Sequence, residues 1–112
     1  MKGWYTLNWP NDVDGDVLRK LEHNGFDFTQ VHEIDFNVDF KSWPPTEKAI
    51  SLLTEKYETV EIYDPEENDE GYVLFRVKDK LSYDLVMQVQ EEASLIMGAH
   101  NGICESWGIW NG

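Results

Sequence analysis

An α+β domain built on one antiparallel sheet is predicted by three observations. Val31 to Phe40 alternates strictly: His32, Ile34, Phe36, Val38 and Phe40 form one row, and Glu33, Asp35, Asn37 and Asp39 the other. A period of two of this kind is a strand with one dry and one wet face. From Ser82 onward the period changes, with Leu85, Val86, Val89, Ala93, Ile96 and Met97 at helical spacing. Between the two lie a further helical stripe and two strand-like runs separated by an acidic turn, which puts the Val31 strand near the middle of the sheet.

The elements follow in order. Trp4 to Trp9 is aromatic and ends at Pro10, the signature of a short strand. Asn11 and Asp12 offer an N-cap to a helix whose Val13, Val17, Leu18 and Leu21 make one stripe before Asn24 and Gly25 stop it. Gly15 weakens this helix, by about 1 kcal/mol relative to Ala at an interior position. After the Val31 strand, Ser42 can cap and Pro44 and Pro45 suit the first turn of a helix running to about Glu58, with Ala49, Ile50, Leu53 and Tyr57 on one face. Thr59 to Tyr63 is a strand with Val60 and Ile62 on one side. The turn from Asp64 to Gly71 and the strand from Tyr72 to Lys78 complete a hairpin, its acidic tip in solvent. Ser82 caps the long helix, Asn101-Gly102 ends it, and Ile103 to Trp110 is the last strand, where Gly108 suits a bulge or a close backbone approach.

From Val31 the order is β, α, β, β, α, β, the split arrangement of ferredoxin-like folds. Such a sheet carries two helices on one face, here those starting near Pro45 and Ser82, and leaves the other to solvent, to the N-terminal segment or to a partner. Tyr72 and Leu74, on the less apolar row of their strand, are assigned to that open face. The 112 residues are read as one domain, 1–30 an N-terminal strand and helix and 31–112 the ferredoxin-like core.

Charge narrows the function. Twenty-two Asp and Glu against nine Lys and Arg leave a formal charge of -13, which repels phosphate backbones and argues against direct nucleic-acid binding. The same field favours solubility and speeds encounter with a basic protein surface. A single cysteine, Cys104, permits no internal disulfide and suits a reducing compartment, and no apolar run approaches the roughly 20 residues of a membrane span. The expected location is the cytoplasm.

Chemical motifs are sparse. His32 and Glu33 face opposite sides of a strand and cannot readily share a metal, so His32 reads as structural. His100 and Cys104 are four apart but separated by a helix end, and Cys104 reads as a small strand residue. Asp12, Asp14 and Asp16 around Gly15 depart from calcium-loop spacing and are better explained by helix capping. There is no phosphate-cradling glycine loop, nucleophile elbow or deaminase zinc pattern. Neither a catalytic residue nor a cofactor is expected. The five tryptophans, Trp4, Trp9, Trp43, Trp107 and Trp110, cannot all be central in so small a core, and any at the surface beside acidic residues would suit protein binding.

Several strings converge on one family. Glu33-Ile34-Asp35-Phe36 leading to a helix, Tyr63-Asp64-Pro65-Glu66-Glu67 before the second hairpin strand, the helix from Ser82 and the terminal Glu105-Ser106-Trp107-Gly108 resemble the regulator of ribonuclease activity B family, inhibitors of ribonuclease E. The resemblance spans about Val31 to Trp110. It implies a ferredoxin-like domain that modulates RNA degradation by binding a protein, without chemistry of its own. Independently of it, the acidic loop (Asp64, Glu66, Glu67, Asp69 and Glu70) together with Tyr72 and Trp107 is the candidate contact surface for a basic partner, a ribonuclease being the implied case. Two alternatives stand beside this reading. One is an immunity protein that neutralises a nuclease toxin. The other is a small enzyme or ligand-binding domain that uses the open face, with His32 or Glu105 titrating.

Overall fold

The structure, a computed structural model, describes residues 9–68 and 70–109. It contains three α-helices and one four-stranded antiparallel sheet: α1 (Val13–His23), β1 (Val31–Phe40), α2 (Glu47–Lys56), β2 (Glu58–Tyr63), β3 (Tyr72–Lys80), α3 (Tyr83–Met97) and β4 (Gly102–Ile109), with a short 3-10 turn, Gly98–His100, between the last two. The strand order is β2-β3-β1-β4. β1 is therefore internal, as its alternation predicts. The expected strand at Trp4 to Trp9 lies outside the described residues except for Trp9, which is not in a strand.

The dry row of β1 makes the core. Ile34, Phe36 and Val38 pair with Val77, Phe75 and Val73 of β3, and all but Val77 of these six side chains are fully buried. The rings of Phe36 and Phe75 stack at 5.4 Å and 13°, an arrangement worth about 0.5–1.5 kcal/mol beyond area burial. Leu18 of α1, Ala49 and Leu53 of α2, and Val86, Ala93 and Met97 of α3 close over this row. All three helices thus contribute to one core on one face of the sheet.

Helix ends follow side-chain capping, with one shift. Asp12 accepts from Gly15 N at 2.7 Å and Ser82 from Leu85 N at 3.1 Å, each quieting a free amide of the first turn. α2 starts later than expected because Thr46, not Ser42, is its cap, accepting from Ala49 N at 3.1 Å. It also ends earlier. Tyr57 leaves the helix in an extended conformation, and its ring stacks on Phe75 at 4.0 Å while its hydroxyl donates to Glu92 at 3.3 Å. An aromatic counted on the helix stripe is in fact the packed residue that links α2 to β2.

Gly15 is the second departure. A Cβ at this position would lie 1.8 Å from the Pro10 carbonyl oxygen, so the missing side chain is what lets the 9–12 segment fold back over the first turn of α1. Gly108, by contrast, meets nothing within 4 Å. The irregularity in β4 falls instead at Glu105, where the register slips from Asn37 opposite Ser106 to Val38 opposite Cys104, a bulge that leaves one extra residue on the outer strand.

Candidate protein-binding surface

The β2–β3 turn is acidic but anchored. Trp43 Nε1 donates to Asp64 Oδ1 at 3.2 Å, and the same indole packs edge-on to Phe40 at 6.4 Å. A Cβ on Gly71 would come within 2.9 Å of the Trp43 ring and 2.8 Å of Pro65 Cδ; glycine allows the loop to close down on the tryptophan. Glu67 adopts a left-handed φ of 43°, consistent with a tight, defined turn. Asp64, Glu66, Glu67 and Glu70 are all exposed, whereas Asp69 lies outside the described residues. A depression of about 310 Å³ is lined by Phe40, Lys41 and Trp43 together with Pro65, Glu67 and Glu70 of the loop.

The acidic character continues past the loop. Partial burial, and then the negative charges of Glu105 and Glu70, push the Asp39 carboxyl above its ordinary value. Glu70 on the loop, Asp39 at the end of β1 and Glu105 on the β4 bulge therefore share one electrostatic environment, and none of the three carboxylates makes a hydrogen bond or ion pair among the described residues. Sequence spacing hides this cluster, because its members come from three separate elements.

The open face of the sheet carries the wet rows. Asp35 pairs with Arg76, Asn37 with Leu74 and Asp39 with Tyr72, and Glu61 and Tyr63 of β2 lie opposite Leu74 and Tyr72. Tyr72 and Leu74 are on this face, as expected, and Leu74 is 8% exposed. Tyr63 stacks on Tyr72 at 5.0 Å and donates its hydroxyl to Glu61 at 2.6 Å, a bond that raises the Tyr63 pKa. Arg76 occupies the centre, 2.7 Å from Asp35 and 3.7 Å from Glu61. Asn37 Nδ2 donates to Ser106 at 3.3 Å, while its Oδ1 is buried without a partner.

Trp107 sits elsewhere. It faces Phe36 in the β1–β4 register, on the helix-covered side, half-buried, and its Nε1 donates to Asp14 Oδ1 at 2.8 Å. Gln90 Nε2 reaches the other Asp14 oxygen at 3.2 Å, and Tyr83 donates to Asp12 Oδ2 at 2.6 Å. The start of α1 is thus pinned to α3 and β4 through two carboxylates. Helix capping accounts for Asp12 only in part, and the acceptor role of Asp14 has no local sequence signal because its donors are 76 and 93 residues away.

His32 is engaged and Cys104 is shielded. His32 shares the row of Ile34 and so points away from the open face; its ring lies 4.3 Å from Phe26 and its Nε2 3.0 Å from the Asp27 carbonyl. This orientation takes His32 off that face, while Glu105 is exposed at the rim. Burial pushes the Cys104 thiol up to about 12, which leaves it protonated and unreactive. No group of three or more His, Cys, Asp or Glu among the described residues is placed to hold a metal ion, and no described helix is long and apolar enough to cross a membrane.

Fold and surface together define a small acidic α+β domain in which Asp39, Glu70 and Glu105 lie near one another at one end of the sheet. The chain belongs to the Regulator of ribonuclease activity B family, whose model matches residues 11–109. The match begins before α1 and ends with β4. No curated protein matches the chain.

Proposed function

We propose that this protein regulates a ribonuclease by binding it, or an RNA-processing protein associated with it, through contact between its acidic surface and a basic surface of the partner. The observation that carries this reading is the joining of the 64–70 loop to Asp39 and Glu105, on a chain with formal charge -13, in a family of ribonuclease regulators. Opposed charge of this kind accelerates encounter and fixes orientation. The domain needs no chemistry of its own for this role, and it would work in the cytoplasm, where RNA is degraded. The order from β1 onward and the strand order read as β4-β1-β3-β2 support a ferredoxin-like fold, with α1 added on the helical side.

Among the candidate contact residues, direct contact with the partner is assigned to the loop carboxylates and Tyr72, a reading supported by the exposure of Asp64, Glu66, Glu67 and Glu70. Trp107 contributes by holding α1 in position. The test uses purified ribonuclease E from the same cell. Adding the protein should slow cleavage of a defined RNA. Replacing Glu66, Glu67 and Glu70 with Gln and Asp69 with Asn should lower the association rate by roughly tenfold at low ionic strength and flatten its salt dependence. An association rate unchanged by these four substitutions removes the loop from the mechanism; absence of any complex removes this ribonuclease as the partner.

A further inference from the structure

Deepening that reading, and resting on its assumption of a basic partner, we infer that the groove between α3 and β4 is a docking site for a basic amphipathic helix of the partner, held by side chains alone.

The groove, of about 620 Å³, is lined by the start of α1, by α3 and by β4. Its walls are tied together. Asp14 accepts from Trp107 Nε1 of β4 at 2.8 Å and from Gln90 Nε2 of α3 at 3.2 Å. Ser94 Oγ of α3 accepts from Cys104 N at 2.9 Å and donates to Cys104 O at 3.2 Å. The groove is therefore formed before any partner arrives, as ligand sites usually are. The Ser94 bonds also decide what can enter. Both backbone groups of Cys104 are already used, and the register slips at Glu105 just beyond, so an extended segment finds no continuous ladder here. An occupant has to satisfy its own backbone and engage the groove through side chains, as a helix does.

The lining sets the composition of that helix. Val13, Met87 and Ile103 are 77%, 41% and 47% exposed, one from each of α1, α3 and β4. Apolar side chains left in water in a groove suit leucine-like anchors repeated three, four and seven residues apart on one helix face. Beside them stand Asp39, Glu91 and Glu105, all exposed and without an ion pair among the described residues, and the described lining has no lysine, arginine or histidine. Lysines or arginines flanking the apolar stripe would meet these carboxylates. A second copy of this chain would instead set carboxylate against carboxylate, with a formal charge of -13 on each molecule. Glu105 and Glu70 both act on Asp39, so the groove is electrostatically continuous with the acidic loop and one partner could engage both.

The test adds a capped peptide of about 14 residues, leucines on one helical face and lysines on the other, a length only marginally helical by itself. Nuclear magnetic resonance follows the methyl groups of Val13, Met87 and Ile103 in the full chain and the carbon shifts of the labelled peptide. Three control peptides have the same residues permuted so that the leucines share no face, a central proline, or Glu in place of Lys. The parent peptide should shift the three methyl groups and become helical; permutation or proline should weaken binding by at least about tenfold. Glu91→Lys should weaken it by about threefold and Met87→Ser by about fivefold, both exchanges being at exposed positions of α3. Equal binding of the parent, permuted and proline peptides, with shifts confined to the 64–70 loop, would overturn helix docking while leaving the charge-based reading intact. Equal binding of the Glu peptide would overturn the choice of a basic helix. Concentration-dependent shifts of the three methyl groups before any peptide is added would identify a second copy as the occupant and overturn it also. No response to the parent peptide in either region at low salt would overturn both this inference and the acidic-surface reading.

Discussion

Replacing Gly15 with Ala sets two physical effects against each other. Intrinsic propensity favours the variant, since Ala within a helix is about 1 kcal/mol better than Gly. The structure opposes it. The new Cβ would sit 1.8 Å from the Pro10 carbonyl oxygen, 2.9 Å from its carbonyl carbon and 3.1 Å from Asp12 Oδ1. A carbon beside a carbonyl oxygen ordinarily stays about 3.3 Å or more away, so roughly 1.5 Å of displacement has to be absorbed. The obstacle is backbone, and it is tethered: Arg19 Nη1 donates to the Trp9 carbonyl at 3.0 Å and to the Pro10 carbonyl at 3.1 Å. Moving the segment strains or breaks both bonds and disturbs the Asp12 cap. Forced contacts of this sort cost about 1–3 kcal/mol, and two partly exposed hydrogen bonds to a charged donor add to that. The net expectation is a loss of about 1–2 kcal/mol. Urea denaturation followed by tryptophan fluorescence should show a midpoint lower by about 0.5–1.5 M with an unchanged slope. A midpoint equal to or above that of the parent would mean that the segment before α1 does not make this close approach, and that propensity alone governs the position.

Three further outcomes follow from individual contacts. Trp107→Phe keeps an aromatic ring, though a smaller one, and removes the donor to Asp14, and should cost about 1–2 kcal/mol; a double-mutant cycle with Asp14→Asn should show coupling above about 0.5 kcal/mol, whereas additive losses would deny that the pair pins α1. Asp39→Asn should stabilise the protein at neutral pH. The folded-state pKa of Asp39 is raised above 3.8, so the folded state binds the proton more tightly, and this group's contribution to stability falls as pH rises from that ordinary value through the folded one; the gain should therefore vanish below pH 3.8, and a gain that persists there would refute the assignment. Cys104, with its thiol pushed up to about 12, should react with a thiol reagent at pH 8 only as fast as the protein unfolds; rapid labelling of folded protein would contradict its burial.

The elements were legible where the pattern is local. The alternation of Val31–Phe40 and the helical spacing after Ser82 depend only on which side chains seek the core, and both elements appear where those patterns place them. Errors arose where a distant contact overrode a local signal. Tyr57 fits the stripe of α2, but the Phe75 ring draws it out of the helix. Ser42 is a good cap by type, yet Thr46 sits next to the helix that forms. Gly108 has the right chemistry for a bulge, and the bulge goes to Glu105 instead. The surface was legible in the same partial way. The acidic loop is contiguous in sequence, so its charge could be read directly, whereas its link to Asp39 and Glu105 requires the sheet to be assembled first.

That assembly also separates the acids by role, and the separation bears on how the charge acts. Asp12 and Asp14 are engaged by Tyr83, Gln90 and Trp107, and Asp35 by Arg76. Each holds two elements together, so its charge is partly spent on folding. Glu66, Glu67, Glu70 and Glu105 have no such bond among the described residues and face solvent. Unpaired carboxylates held close together repel one another; the Asp39 carboxyl is raised first by partial burial and then by this repulsion from Glu105 and Glu70. A basic partner that removed the repulsion would gain from both attraction and relief, whereas the internally bonded acids would offer it little. Salt should therefore weaken binding chiefly through the loop and the β4 rim. Substitutions at Asp12 or Asp14 should act through stability instead, which separates an electrostatic surface from an acidic composition that merely keeps the protein in solution.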